Sequence, residues 1–182
     1  MAFTLMDSLK RVHPEARRCI WLLDHQAIEA PAGVEILDVR RSMTSAEFSA
    51  LLLRYDILEL ATAVKPRCLE FHFSEGADRV FYFDPDIFVY QPLDAAMSLL
   101  SQGAGVLTPH VLAPLPRDGA APSDLDILRS GLYNLGFIGL RAGPETSAFL
   151  IWWGDWLKTH CFRDPASGVF TDQKWIDFAP LF

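Results

Sequence analysis

Two carboxylates, Asp84 and Asp86, interrupt the apolar run RVFYFDPDIFVY at residues 79–90, with Pro85 between them. Asp is rarely buried without a partner, because a desolvated carboxylate is costly. An apolar strand that ends on two of them therefore calls for solvent or a cation. In extended chain, residues i and i+2 share one face, where two like charges raise a pKa unless a divalent ion sits between them. Oxygen ligands suit Mg²⁺ or Mn²⁺, ions that take one or two protein carboxylates and complete their shell with phosphate oxygens. The chemistry on offer is a clamp for a metal-bound diphosphate. Asp-Pro-Asp is also good turn chemistry, and a solvent-facing turn stands as the alternative. No Gly-rich phosphate loop, GxSxG or Cys/His nucleophile pattern offers a competing centre. His13, His25, His72 and His160 fall in surface-like or packing contexts without ligand spacing, and His110 alone comes near the presumed site.

Such a clamp needs elements to position it. Phe3, Leu5, Met6, Leu9 and Val12 recur at helical spacing, and Pro14 disfavours helix at His13, so residues 3–12 read as an amphipathic helix. CIWLLD (19–24) and VEILDV (34–39) read as buried strands on either side of a Pro-Ala-Gly turn. Thr44 and Glu47 make a capping-box pattern that opens a helix over 44–55. Residues 57–73 read as helical on both sides of Pro66, which starts a new helix or kinks one. RVFYFD (79–84) is a third strand and IFVY (87–90) a shorter one. A helix (93–102), a strand (103–110), a Pro/Gly-rich loop (113–124) and a short helix capped by Ser123 come next. YNLGFIGLR (133–141) is a strand with two glycines, 144–161 a long helix, and FTDQKWIDF (170–178) begins another. Trp152, Trp153 and Trp156 at helical spacing read as core rather than as a sugar-stacking platform.

Strands alternating with helices predict a single α/β domain, a three-layer α/β/α arrangement whose central sheet is mostly parallel. In such sheets ligands sit beyond the carboxyl ends of strands, the position that Asp84 and Asp86 take. Composition agrees with a globular chain: of 182 residues, 51% are hydrophobic and 21% charged, and no apolar run approaches the roughly 18 residues of a membrane helix. The net charge of −7 and the lack of a basic stripe argue against nucleic acid as a partner. Cys19, Cys68 and Cys161 are odd in number, far apart and without a CxxC. No secretory signal can be read in MAFTLMDSLKRVHP, so a cytoplasmic location is expected.

In its context VFYFDPDIFVY resembles the strand-DxD-strand segment of nucleotide-diphospho-sugar glycosyltransferases of the GT-A fold, of the family 8 type. SLKRVHPEARRCIWLLD (8–24) resembles that family's first helix and second strand, and LELATAVKPRCLEFHF (58–73) the helix before the Asp pair. YNLGFIGLR resembles its Asn-x-Gly strand and FTDQKWIDF its Asp-Gln helix start, all in the expected order over nearly the whole chain.

The resemblance implies a Rossmann-like GT-A fold. It implies metal-dependent, retaining transfer of a sugar from a UDP- or GDP-sugar donor to a hydroxyl of a glycan, lipid-linked or protein acceptor. By that resemblance Asp84 and Asp86 hold Mn²⁺ or Mg²⁺, with Asp84 also near the donor ribose. Lys65 contacts the donor, with Arg67 as the neighbouring candidate. Asn134 and Gly136 stand at the sugar or acceptor, and Gly139 permits close backbone approach. Asp172 binds sugar hydroxyls and Gln173 lies near the reacting carbon, the two making up the catalytic pair. Plainer readings stand beside these: Lys65 as a solvated helix charge, YNLG as a turn before a strand, Asp172 as a helix N-cap after Thr171.

Members of the family open with a strand whose loop binds the base, and they continue to a His that adds a metal ligand. The resemblance therefore implies a donor site incomplete at both ends. Two alternatives follow, a nucleotide-sugar-binding module without catalysis and a Mg²⁺-dependent phosphohydrolase. The second is disfavoured by Ile87-Phe88 after the Asp pair.

Overall fold

Leu5, Met6 and Leu9 bury one face of α1 (Ala2–Val12), which ends at His13 just before Pro14. The chain enters β1 (Arg18–Leu22), which runs parallel to β2 (Val34–Asp38) with Ile20 opposite Ile36. The structure is a computed structural model that describes residues 1–24 and 27–182, so His25 lies outside the described residues. Capping boxes at Thr44–Glu47 and Asp56–Glu59 open α2 (Ser45–Arg54) and α3 (Ile57–Ala63). The helical stretch around Pro66 breaks at Val64, one residue before α4 (Lys65–Ser74). Pro66 thus sits in the first turn of α4, where its missing N–H is no loss.

The chain continues through β3 (Arg79–Phe83), α5 (Asp94–Leu100), β4 (Gly105–Pro109), α6 (Asp124–Ser130), β5 (Tyr133–Arg141) and α7 (Pro144–Leu157). A small hairpin, β6 (Arg163–Asp164) with β7 (Val169–Phe170), was not foreshadowed by the sequence and precedes a 3-10 helix at Lys174–Leu181.

The α/β class holds, but the strand directions correct the expectation of a mostly parallel sheet. β5 lies between β3 and β4 and is antiparallel to both, and only β1 and β2 pair in parallel. The reason lies in the connections. The segment after β4 passes through a loop and the short α6 and returns at once beside its own strand, as an antiparallel neighbour can. The stretch 87–90 is not a strand either. Ser8 Oγ accepts the Val89 N–H at 3.0 Å, and the Ile87 N–H closes a turn on the Asp84 carbonyl at 3.1 Å.

Helices cover both faces of the three-stranded sheet. Val80, Tyr82, Ile138 and Leu140 join the main core with Leu69 of α4 and Phe149 and Trp153 of α7. Phe81 and Gly139 point the other way, toward Leu100 of α5, and Phe83 packs against α1. A Cβ at Gly139 would stand 2.6 Å from the Phe81 ring, so the cross-strand ring keeps its place over β5 only with glycine there. Trp153 is fully buried, as core packing requires, whereas Trp156 is partly exposed and stacks on Trp175 at 4.5 Å. Among the described residues no helix is long and apolar enough to cross a membrane.

Candidate functional site

Leu107 pairs with Ile138 across the β4–β5 ladder, but the next residue, Thr108, pairs with Asn134. Leu135, Gly136 and Phe137 are therefore extra on β5 relative to β4, a bulge that leaves backbone groups for partners elsewhere. Most of those partners come from distant segments, and one from Asn134 on β5 itself. The Asp84 N–H donates to Gly136 O at 2.7 Å, and Lys65 Nζ donates to Leu135 O at 3.3 Å. The Leu135 N–H donates to Gln173 Oε1 at 3.2 Å, and the Gly136 N–H to Asn134 Oδ1 at 2.9 Å. One irregularity in one strand thus gathers Lys65, Asp84, Asn134, Gly136 and the 171–173 turn.

Lys65 is a core cation, not the solvated helix charge of the plainer reading. It is 5% exposed, with Nζ 2.9 Å from Asp172 Oδ2 and 3.5 Å from Asp84 Oδ1. Its ammonium also lies 4.4 Å from the centre of the Tyr82 ring. Arg67, two positions on, is engaged by Glu47 and Glu70 instead.

Asp172 is 2% exposed, and burial pushes its pKa up while Lys65 opposes the rise. Oδ2 lies 2.9 Å from Lys65 Nζ, an ion pair within the core. The Asp172 carbonyl accepts the indole N–H of Trp153 at 3.2 Å. Asp172 is not a helix cap, because the following helix is preceded by Gln173 and has no side-chain cap bond. In this arrangement its contacts are to the protein interior.

Thr171 makes that burial possible. Its φ of 47° puts a β-branched residue in the left-handed region, at a cost of about 1–2 kcal/mol, and the kink sends Asp172 inward. The Thr171 N–H anchors the kink on Phe162 O at 2.9 Å. Gln173 is held at both ends of its amide, since Nε2 donates to Ser130 O at 2.9 Å. His110 Nδ1 contacts Gly131 O at 2.9 Å, which ties it to the backbone at the end of α6.

Asp84 is half-open. Tyr82 Oη donates to its Oδ1 at 2.5 Å, and Oδ2 borders the space above Gly136, where a Cβ would stand 3.3 Å away. Burial, then the charge on Asp84, pushes the Tyr82 phenol well above its ordinary range, so it remains a proton donor. Asp86 is exposed and makes no hydrogen bond or ion pair with the described residues. The two carboxylates do not share a face of extended chain. Pro85 presets the second position of a β-turn, which puts Asp84 first and Asp86 third.

Among the described residues no group of three or more His, Cys, Asp or Glu could hold a metal ion. The hard oxygens of Asp84 and Asp86 fit Mg²⁺ or Mn²⁺ only where a ligand such as a diphosphate supplies the rest of the shell. Two participants went unread in the sequence. Tyr82 is detectable in hindsight as the residue two before Asp84 on the same strand face, whereas no sequence signal marks the backbone of Thr171.

The chain is similar to the uncharacterized protein YfnF of Bacillus subtilis (strain 168), with 25% identity over 194 residues. That match covers 97% of this chain but only 60% of its relative, so the chain spans less than two thirds of the relative's length. No protein-family model matches it, and no solved structure matches it.

Proposed function

We propose that the chain is a nucleotide-sugar glycosyltransferase of the GT-A type. It would move a sugar, with retention, from a UDP- or GDP-sugar to a hydroxyl of a glycan, lipid-linked or protein acceptor. The observation that carries this reading is the convergence on the β5 bulge of Lys65, Asp84, Asn134, Gly136 and Gln173, with Asp172 sealed behind Lys65. One ammonium, Lys65, is shared by Asp172 at 2.9 Å and Asp84 at 3.5 Å, and Asp86 adds an exposed third carboxylate, so negative charge is in excess at the open rim. A diphosphate approaches such a rim together with a divalent cation.

Asp84 Oδ2 and Asp86 would hold Mn²⁺ or Mg²⁺, which when bound draws charge from the leaving diphosphate. Lys65, fixed by Asp172, keeps positive potential behind the site without being free to leave it. The Asn134–Gly136 backbone, unobstructed by a side chain at Gly136, gives the donor sugar close access to β5. Gln173, clamped between Leu135 and Ser130, orients the donor face. Asp172 reaches sugar hydroxyls only when the 171–173 turn opens, and in the closed arrangement its part is to fix Lys65. A cytoplasmic location belongs to the same reading.

Calorimetry with UDP- and GDP-sugars, with and without Mn²⁺, tests the proposal. Metal-dependent binding that disappears in Asp84→Asn/Asp86→Asn is expected, and binding indifferent to both removes the metal role. Transfer to an acceptor then separates an enzyme from a module that only binds the donor.

A further inference from the structure

We infer that Tyr82 is a positioning residue that assigns separate tasks to the two oxygens of Asp84, an inference that rests on the proposed donor site. Tyr82 Oη lies 2.5 Å from Asp84 Oδ1, within the range of a charge-assisted O–H···O⁻ bond. The same Oδ1 is 3.5 Å from Lys65 Nζ, while Nζ is 2.9 Å from Asp172 and 4.4 Å from the centre of the Tyr82 ring. One side chain therefore touches both the half-open Asp84 carboxylate and the buried Lys65 ammonium behind it. Its position is fixed by the β3–β5 ladder, where Tyr82 pairs with Ile138, and by the packing of its ring on the main core.

The hydroxyl settles which way the Asp84 carboxylate turns. With Oδ1 held, Oδ2 is left at the space above Gly136, where a ligand can use it. Without the hydroxyl, the donor nearest to Oδ1 is the Lys65 ammonium. The carboxylate then rotates toward Lys65, withdrawing Oδ2 from the rim and pulling Lys65 from Asp172. Carboxylates that ligate metals are commonly oriented by such hydrogen bonds, and loss of the orienting group costs about 10–100-fold in metal affinity.

Tyr82→Phe isolates this role, since it deletes the hydroxyl and keeps the ring beneath Lys65. Mn²⁺ affinity measured by electron paramagnetic resonance at saturating UDP, and again at saturating GDP, should fall about 10–100-fold. Nucleotide affinity without Mn²⁺ should be unchanged, a split that a purely structural role would not produce. If wild type retains Mn²⁺ with a nucleotide and Tyr82→Phe retains it equally well, Tyr82 has no such role and the donor-site reading survives. If wild type retains Mn²⁺ with neither nucleotide, the donor-site reading fails and this inference fails with it. Should Tyr82→Phe not fold, the crystal structure of wild type with Mn²⁺ and the nucleotide decides. Oδ2 on the metal with Oδ1 still on Tyr82 upholds the role, and both oxygens on the metal with Tyr82 released overturns it.

Discussion

The Asp84–Asp86 turn and the Thr171–Gln173 turn both bring acidic side chains to the β5 bulge, and they treat solvent in opposite ways. At the first, Pro85 makes a tight turn that leaves Asp86 in water and one oxygen of Asp84 open. At the second, a left-handed Thr171 folds Asp172 into the core, where Lys65 is its partner. Chemically similar residues thus meet different surroundings: the first pair faces solvent, and Asp172 is enclosed by the fold. Lys65 joins the two, so the rim cannot be rearranged without disturbing a buried ion pair.

The largest expected effect tests that division directly. Asp172→Ala removes the nearest counter-charge of the buried Lys65 ammonium, leaving it the more distant Asp84, and should lower unfolding free energy in urea by about 3 kcal/mol. Asp86→Ala, at an exposed position without a partner, should stay within about 0.5 kcal/mol of wild type. Equal losses would erase the contrast.

A smaller effect separates two glycines of β5. Gly139→Ala drives a methyl into the Phe81 ring and should cost about 1–3 kcal/mol in the same measurement. Gly136→Ala meets Asn134 Oδ1 at 3.0 Å and Asp84 Oδ2 at 3.3 Å, so it should impair Mn²⁺-dependent nucleotide binding more than stability. The reverse ranking would count against a binding role for the Gly136 side of β5.

The smallest effect concerns acid. Hydrogen bonds from the Ser123 backbone and hydroxyl hold Asp126 below its ordinary pKa. A depressed carboxylate stabilises above its unfolded value, near 3.8, and that contribution is lost as pH falls through the lower folded value.

Local elements were largely legible, because their signals are local. The Leu5/Met6/Leu9 stripe, the Thr44–Glu47 box and the apolar run before Asp84 each specify a helix, a cap or a strand within a few residues. Strand direction was not, since alternation of β and α says nothing about whether β5 returns beside β4 or crosses over it. IFVY has strand composition but loses its ladder to Ser8, a contact between residues 81 positions apart that no window reveals. Residue types at the site stand out in the sequence as acids near apolar runs. Their exposure does not, because a carboxylate at the end of a strand and one after a buried kink look alike until the backbone of Thr171 is known.

Trp153 gives the sealed turn an optical reporter. Its indole is fully buried on α7 and donates to the carbonyl of Asp172, while Trp152, Trp156 and Trp175 form an aromatic chain that Phe149 links to it. With Trp152, Trp156, Trp175 and Trp21 replaced by phenylalanine, emission from the one remaining indole would redden whenever water reached the carbonyl. Opening and closing of the turn could then be followed in real time, through light from a residue that no ligand needs to touch.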